Sequence, residues 1–431
     1  MERSIIDRFI ATCKENENKT AFVYHGRRIS FKKLLSDMYR TVNLLKSKGL
    51  VAGDKALILV VPSYEFYLLM FAGLYYGINL VVMDSYRDIK RIGRVLKSNN
   101  IKYVCCNGFT RLLKSVIGND LEFISIDKYS SFDDGVCVQN TDGHRTVLTT
   151  FTSGTTGDPK PIYRSVKDLE EQINVLTENI SVGKKDVVFS KLPIYALFIV
   201  FNGLTCVISQ KIKKEEIKKY GVTAVLAPIA DLLALKTCLP FVKRVSIGGA
   251  MLYPREIERI NANFPNAEIS YVYGSSECVL MAKADLKSFS RTFALSTDVT
   301  GVEISLLNTD KNGVGQICSR GNVVLTDSKE QVSNDLGYID ADGPHIVGRK
   351  AFSSVDHYNY LMDMEILSNN KKVKKGFSLV YGGRIYFCYE GTVSHKRNDV
   401  VYVRFRKLPM DLKHKTKLDY NKALSVIKKK Y

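Results

Sequence analysis

The loop TSGTTGDPK, at residues 152–160, is dense in groups that can donate hydrogen bonds to an anion. Four hydroxyl side chains, two glycines and a lysine fall within nine positions, directly after the apolar stretch VLTTF. Gly154 and Gly157 let backbone N–H groups turn toward an anion without a Cβ in the way, and Lys160 adds a positive charge. The rotatable hydroxyl donors are those of Thr152, Ser153, Thr155 and Thr156. These residue types favour a cradle for the phosphates of a nucleotide.

The loop differs from the P-loop that many nucleotide-binding proteins share. Lys160 is followed by Pro161 rather than by Ser or Thr, so no helix continues through the lysine and no hydroxyl follows it to bind Mg²⁺. The alternative is a polar surface loop after a strand, which composition alone leaves open. Features of the sequence outside the loop are therefore needed to distinguish a phosphate-binding site from a surface loop that only connects two elements.

The bulk composition indicates a globular protein. The chain has 431 residues, of which 45% are hydrophobic and 25% are charged, and this excludes a disordered chain. Nine cysteines without metal-like spacing indicate reduced thiols and a cytoplasmic location, and no secretory leader is expected at the N-terminus.

The apolar runs 56–83 and 192–209 are expected to be strand–helix–strand and helix–strand. No integral membrane span is expected, because the first run contains Pro62 and Glu65 and the second is short.

The net charge of +19 is concentrated near the C-terminus. Residues 371–431 hold 17 Lys/Arg against 4 Asp/Glu, which gives +13 in this segment. Such a surface can simply be solvated, or it can attract a nucleotide, coenzyme A, an acidic carrier protein or a nucleic acid. The segment lacks the aromatic–basic alternation and zinc spacing typical of nucleic-acid binders, so nucleic acid is the least favoured partner.

Alternating helical and apolar strand patterns predict the fold class. The pattern runs from about residue 20 to residue 274 and indicates α/β architecture with mostly parallel sheets covered by helices. Short strands from about residue 300 predict a small β-rich subdomain. We predict a large N-terminal domain, residues 1–348, and a small, mobile α+β C-terminal domain, residues 349–431.

The loop at 152–160 closely resembles the phosphate loop of the adenylate-forming superfamily, which includes acyl-CoA synthetases, peptide-synthetase adenylation domains and luciferases. Further segments resemble motifs of this superfamily in the same order: GLVAGDKALILVVPSYEF (49–66), IGGAML (247–252), YGSSEC (273–278), NDLGYIDADGPHIVGRK (334–350) and LPMDLKHKTKLDYNKAL (408–424). The segments LPIYALF, VGRKAF and PMDLKHKTKL look most like the branch of long-chain acyl ligases that contains the olefin β-lactone synthetases. Because these segments occur in the same order as the motifs of the superfamily, the resemblance does not depend on the loop at 152–160 alone.

The resemblance implies a reaction and the residues that perform it. A carboxylate would attack the α-phosphorus of ATP, release pyrophosphate and form an acyl-AMP, with transfer to the thiol of CoA or of a carrier protein's phosphopantetheine as the next step. Glu277 would hold Mg²⁺, Ser276 would place a hydroxyl near the α-phosphate, and Lys417 would stabilise the forming acyl phosphate. Taken singly, Glu277 can also be a helix partner and Lys417 is one of 17 basic residues in its segment.

The same resemblance assigns the nucleotide-binding residues. Ser153, Thr155, Thr156 and Lys160 would cradle the β- and γ-phosphates within a loop that also includes Thr152, Gly154 and Gly157. The Gly249–Ala250 backbone would approach adenine, as would the ring of Tyr273, which Gly274 follows. Asp335 would accept hydrogen bonds from both ribose hydroxyls, and Arg349 would contact the ribose or the phosphates.

The substrate and the second step are less constrained by the residues. The resemblance implies that the apolar segment 195–204 lines a pocket for a medium- or long-chain acyl group, and ordinary core packing is its alternative. Asn334 replaces a family glycine, and because Asn tolerates left-handed dihedrals the substitution is compatible with the family's turn. The region after Lys350 lacks the glycine-rich loop that helps admit a pantetheine thiol. Two other functions stay open: a β-lactone synthetase acting on a 3-hydroxy fatty acid, and a catalytically weak nucleotide-binding module. An acyl-carrier protein is the expected partner of the basic C-terminal face.

Overall fold

The structure is a computed structural model that forms two compact units, Met1–Ala227 and Pro228–Tyr431. It describes residues 4–83, 89–108, 110–117, 120–136, 138–151, 160–209, 211–286, 295, 299–410 and 419–430. The predicted domain boundary between residues 348 and 349 lies inside the second unit and stays a prediction.

The first unit alternates helices and strands. Its helices are α1 (Ile5–Glu15), α2 (Phe31–Ser47), α3 (Tyr64–Tyr76), α4 (Ile89–Ser98), α5 (Lys114–Ile117), α6 (Val166–Asn179), α7 (Pro193–Phe201) and α8 (Lys214–Lys219). Its strands are β1 (Thr20–Tyr24), β2 (Arg27–Ser30), β3 (Lys55–Leu59), β4 (Asn79–Val82), β5 (Tyr103–Cys106), β6 (Glu122–Ser125), β7 (Thr146–Phe151), β8 (Pro161–Ser165), β9 (Val187–Ser190) and β10 (Thr205–Ile208), with β11 (Ala224–Pro228) at its end.

The strands of the first unit form two mostly parallel sheets. One sheet has the order β6-β5-β3-β4-β7-β8, in which only the β7–β8 pair is antiparallel. The other contains β11-β9-β10-β1-β2, in which the β1–β2 hairpin is the antiparallel pair. Parallel neighbours need crossover connections, and the intervening helices supply them.

Two apolar helices explain the membrane-like runs of the sequence. Ser63 caps α3, because its hydroxyl accepts a hydrogen bond from the Phe66 N–H at 3.2 Å, and the helix ends at Gly77 in the left-handed conformation. Helix α3 is buried on nearly every side, and most of α7 is buried too. A helix that is apolar all round lies in the interior of a large core. Among the described residues, no helix has the length and hydrophobicity to cross a membrane.

The second unit contributes strands β12 to β14 to an eight-stranded sheet and contains two smaller sheets, of four and three strands. Its helices are α9 (Ile229–Leu233), α10 (Pro254–Asn263), α11 (Asn359–Asn369) and α12 (Tyr420–Lys430). Its strands are β12 (Arg244–Gly248), β13 (Glu268–Tyr273), β14 (Ala282–Asp285), β15 (Glu303–Leu307), β16 (Gly315–Arg320), β17 (Glu330–Asp340), β18 (Gly343–Arg349), β19 (Val373–Tyr381), β20 (Arg384–Gly391) and β21 (Val400–Arg404). Strands β12 and β13 are parallel, whereas β15 to β18 form an antiparallel sheet in chain order.

The predicted fold class is confirmed. Mostly parallel sheets with covering helices occupy the chain up to β13, and the β-rich part begins near residue 300 as expected. The run 56–83 forms β3, α3 and β4, and the run 192–209 forms α7 and β10. The cysteines among the described residues are all free, and the predicted cytoplasmic location stays a prediction.

Candidate functional site

The strands on either side of the 152–160 loop form an antiparallel pair. Phe151 at the end of β7 lies opposite Pro161 at the start of β8. Arg164 on β8 donates from Nη1 to Thr150 Oγ1 at 2.7 Å and from Nε to Gln172 Oε1 at 3.1 Å. These contacts fix the base of the loop at the carboxyl end of β7, which is where ligands bind in parallel sheets.

Part of the predicted site falls on residues that the structure does not describe. Lys160 is described and its side chain is exposed. The residues that lie outside the described part are Thr152, Ser153, Gly154, Thr155, Thr156, Gly157 and Lys417. The roles predicted for these residues stay predictions.

Three of the predicted residues meet around the carboxylate of Asp335. Asp335 on β17 lies opposite Arg349 on β18, and the Arg349 Nε donates to Asp335 Oδ1 at 2.9 Å. The Tyr273 hydroxyl, from the end of β13, donates to Asp335 Oδ2 at 2.9 Å. The side chain of Asp335 is 16% exposed and that of Arg349 is 35% exposed, so the pair is shielded but reachable from solvent.

The electrostatics of this cluster follow from burial and from the shared carboxylate. Burial raises the pKa of Tyr273 well above its ordinary value, and the negative charge of Asp335 raises it further. Burial acts to lower the pKa of Arg349, but Tyr360 and Asp335 outweigh it, so the net shift is upward. Tyr273 therefore remains a neutral hydrogen-bond donor and Arg349 remains a cation.

The predicted role of Tyr273 rested on its ring, and the structure adds a contact of its hydroxyl. The residue is 7% exposed, and its hydroxyl ends on the carboxylate that was predicted to bind ribose. Asn334 lies within β17 without a positive φ, so the tolerance of Asn for left-handed dihedrals is not needed there. The extended backbone keeps Asp335 in register with Arg349.

Glu277 lies in a tight turn that follows β13. The Ser275 hydroxyl accepts hydrogen bonds from the Glu277 and Cys278 N–H groups at 3.1 and 2.9 Å, and the Ser275 N–H donates to the Cys278 carbonyl. A Cβ on Gly274 would meet the Val279 carbonyl at 2.4 Å, which explains why glycine precedes this turn. Ser276 is exposed in the same turn.

Gln331 is a site residue that sequence reasoning missed. Its Nε2 donates to Glu277 Oε2 at 3.2 Å, and its Oε1 accepts from the Ser275 hydroxyl at 2.9 Å. No other described residue donates to the Glu277 carboxylate, so its second oxygen can take a further ligand. A polar residue on a strand gave no signal in the sequence, because its partners lie more than fifty positions away.

The Gly249–Leu252 loop, which was predicted to approach adenine, is held from both of its ends. Gly249 follows β12 with a φ of +93°, a conformation that favours glycine, and the Ala250 carbonyl accepts a hydrogen bond from the Tyr271 hydroxyl at 3.2 Å. At the other end, Tyr253 precedes α10, and its hydroxyl donates to Asp363 Oδ2 at 3.0 Å. The loop is therefore tied both to β13 and to α11.

The structure thus brings Tyr273, Asp335 and Arg349 together. The other predicted residues of the second unit that the structure describes lie at the turns that follow β12 and β13: Gly249, Ala250, Gly274, Ser276 and Glu277. Lys350 is exposed and donates from Nζ to Gln316 Oε1 at 2.6 Å. The arrangement offers a shielded carboxylate beside a cation and, in the neighbouring turn, a second carboxylate with one oxygen available.

A match to a known protein family agrees with the motifs found in the sequence. Residues 9–326 match the AMP-binding enzyme family, so the chain belongs to that family. This confirms the resemblance to the adenylate-forming superfamily inferred from the motifs.

Curated relatives include a CoA ligase and a β-lactone synthetase. A 4-coumarate–CoA ligase from Vanilla planifolia is 25% identical over 370 residues, which cover 69% of this chain and 66% of that protein. An olefin β-lactone synthetase from Stenotrophomonas maltophilia (strain K279a) is 25% identical over 281 residues, which cover 58% of this chain and 51% of that protein. The chain therefore spans between half and two thirds of the length of these relatives.

A solved structure confirms the fold over nearly the whole chain. O-succinylbenzoate coenzyme A synthetase from Bacillus subtilis, in complex with ATP and magnesium ion, matches with a TM-score of 0.82 and 16% identity. The match covers 96% of this chain and 98% of the solved chain. At this identity the likeness concerns the fold.

Asp363 makes the stability of the chain depend on pH. Burial raises the pKa of its carboxyl group to about 8, from about 3.9 in an unfolded chain. The folded state therefore binds this proton more tightly than the unfolded state. The free energy of unfolding should fall as pH rises from about 4 to about 8.

Asp363 also accepts hydrogen bonds from the N–H and the hydroxyl of Ser378. In Asp363→Asn the pH dependence that this carboxyl group adds to the free energy of unfolding should be absent, because the amide has no such proton and can still pair with Ser378 and Tyr253. Urea unfolding of both proteins at pH 5, 7 and 9 measures the difference. The matched control is Asp342→Asn, at an exposed carboxylate. An identical pH dependence in wild type and Asp363→Asn would show that Asp363 is charged in the folded state.

Proposed function

We propose that the chain is an AMP-forming acid ligase, which joins a carboxylate to the α-phosphorus of ATP and releases pyrophosphate. The observation that carries the proposal is the Tyr273–Asp335–Arg349 cluster. A carboxylate has about four lone-pair sites, and the two protein donors use one on each oxygen. Two sites are left for the neighbouring hydroxyls of a ribose, which is the role predicted for Asp335.

The reaction brings together two anions, so the chain has to supply positive charge and fixed donors. Arg349 contributes a cation beside the ribose position, and the loop at 152–160, with Lys160, contributes the predicted phosphate contacts. Lys417 is proposed to stabilise the charge that develops on the transferring phosphoryl group. Ser276 is proposed to donate a hydrogen bond near the same group.

Glu277 fits a magnesium site of the kind that nucleotide enzymes use. Gln331 orients one carboxylate oxygen, and the other has no donor among the described residues. The described residues contain no cluster of three or more His, Cys, Asp or Glu side chains, so the ion would take its other ligands from phosphates and water. When bound, Mg²⁺ would neutralise charge on the phosphate oxygens.

The acid is proposed to carry a medium or long acyl chain. Helix α7 carries no charged side chain that could pair with the amino group of an amino acid. The acyl group would then pass to the thiol of CoA or of a carrier protein, whose acidic surface would suit the +13 segment 371–431.

A second candidate is β-lactone formation from a 3-hydroxy acid. It is favoured by the similarity to an olefin β-lactone synthetase and by the segment after Lys350, which lacks a glycine-rich loop. In that reaction the 3-hydroxyl attacks the activated carbonyl, AMP leaves, and no thiol is needed.

A screen of acids by ATP–pyrophosphate exchange tests the proposal. We expect exchange with fatty or 3-hydroxy fatty acids, and a loss of at least a hundred-fold in Glu277→Ala, because the metal loses its protein ligand. Glu258→Ala, which removes an exposed carboxylate from α10, serves as the control.

The outcomes separate the candidate functions. A product short of one water, formed from a 3-hydroxy acid without thiol, identifies the lactone reaction. ATP binding without exchange on any acid contradicts the ligase and supports a nucleotide-binding module. Full exchange in Glu277→Ala removes this residue from the metal site.

Lys417 should act on the chemical step rather than on ATP binding. Lys417→Ala is expected to slow acyl-AMP formation at least ten-fold while the affinity for ATP stays within two-fold, since only the transition-state contact is lost. Single-turnover formation of acyl-AMP and calorimetric ATP binding measure the two effects. Lys415→Ala is the matched neighbour, and an equal loss in both variants would indicate a general charge effect.

Gln331 should matter through the carboxylate that it orients. Gln331→Leu is expected to raise the Mg²⁺ concentration needed for half-maximal thermal stabilisation by ATP about ten-fold, as is typical when a partner of a metal ligand is lost. Melting temperatures across a Mg²⁺ titration measure this without turnover. The control is Val332→Ala, at the next position of β17, and an unchanged midpoint in Gln331→Leu would exclude the role.

A further inference from the structure

Asp363 is a wholly buried carboxyl group that connects separate elements of the second unit. It lies on α11, and its Oδ1 accepts from the Ser378 N–H and the Ser378 hydroxyl at 2.5 and 2.6 Å. Its Oδ2 accepts from the Tyr253 hydroxyl at 3.0 Å. No described Lys, Arg or His pairs with it, so a negative charge here would be buried without compensation.

The groups around Asp363 favour the protonated acid. The titratable side chains that face it are Tyr253 at the start of α10, Cys388 on β20 and Tyr420 at the start of α12. None of them carries a positive charge. Burial raises the pKa of Asp363 to about 8, so the carboxyl group keeps its proton at neutral pH.

The hydrogen bond between Asp363 and Tyr253 connects α11 to the Gly249–Leu252 loop, which was predicted to approach adenine. This residue directly follows the Gly249–Leu252 loop and stands at the N-cap of α10. Two residues further on, Arg255 donates to the carbonyls of Asn370 and Val373, both at 3.1 Å. The first turn of α10 is thus docked on the end of α11 and the start of β19, which keeps the Tyr253 hydroxyl over Asp363.

We propose that Asp363 is a positioning residue, which fixes the Gly249–Leu252 loop through the Tyr253 hydroxyl and thereby supports nucleotide binding. The inference rests on the proposed function, which places adenine against this loop. A loop that is already fixed loses less conformational entropy when a ligand binds, so its affinity for the ligand is higher. Tyr253 and Asp363 lie on opposite sides of the predicted boundary at 348/349, so the hydrogen bond also couples the two predicted domains.

The Tyr253→Phe variant tests the link, because it keeps the ring and removes only the hydroxyl. We expect faster amide hydrogen exchange in a peptide that covers residues 247–253, with no change in a peptide that covers β13. The dissociation constant for ATP and the KM for ATP should rise about five-fold, the size of one net hydrogen bond, while kcat changes less than two-fold.

The Asp363→Asn variant separates positioning from simple structural support. Its amide can pair with both Ser378 and Tyr253, so loop exchange and the KM for ATP should match wild type at pH 7. Above pH 8 the acid loses its proton but still accepts from the Tyr253 hydroxyl, so the KM for ATP should follow the same pH profile in wild type and Asp363→Asn. A purely structural role of the Tyr253 contact would lower stability in Tyr253→Phe without raising the KM for ATP more than kcat changes.

The outcomes of the hydrogen-exchange and ATP-binding experiments separate this proposal from the proposed ligase function. Unchanged loop exchange in Tyr253→Phe, or faster exchange with unchanged ATP affinity, overturns the proposal. Faster exchange with weaker ATP binding supports it even if no acid gives pyrophosphate exchange, and in that case the ligase function fails instead. Circular dichroism of both variants confirms that they are folded before the comparison is made.

Discussion

The carboxylate of Asp335 is the constraint on which the arrangement of the site depends. It is shielded from solvent, it accepts one hydrogen bond on each oxygen, and its partners come from strands of two different sheets. A shielded carboxylate without donors would be costly, so Tyr273 and Arg349 have to lie where they do. Their positions in turn fix the end of β13 and the register of β17 against β18.

Two glycines shape the turns that position the rest of the site. The turns after β12 and β13 begin at Gly249 and Gly274, one with a positive φ and one with no room for a Cβ. These turns bring backbone groups and the Glu277 carboxylate to the carboxyl ends of neighbouring strands. Gln331 then holds that carboxylate and Ser275 holds the Gln331 amide, so a flexible side chain acquires a defined direction.

The sequence was sufficient to predict the elements that have strong local patterns. The apolar runs at 56–83 and 192–209 were placed correctly, because Pro62 and Glu65 interrupt the first and the second is short for a membrane span. The family motifs were sufficient to name Asp335 and Glu277. The match to the AMP-binding enzyme family confirms the family but leaves the role of each residue a prediction.

The partners of these residues could not be predicted from the sequence. The Tyr253 hydroxyl meets Asp363 across 110 positions, and Tyr273 meets Asp335 across 62. Such contacts depend on how helices and sheets pack, and a single buried Asp within a helical pattern is indistinguishable from an exposed one. The ring of Tyr273 was predicted and its hydroxyl contact was not, because the strand direction that aims the hydroxyl is set by the tertiary structure.

The most direct test of the central claim is a comparison of ATP with 2′,3′-dideoxy-ATP by calorimetry. If Asp335 accepts hydrogen bonds from the ribose hydroxyls, wild type should bind the dideoxy nucleotide at least ten-fold more weakly, since two charge-assisted hydrogen bonds are lost. In Asp335→Ala the two nucleotides should bind alike. Equal affinities in wild type would contradict the account, because the carboxylate would then have no part in holding the nucleotide.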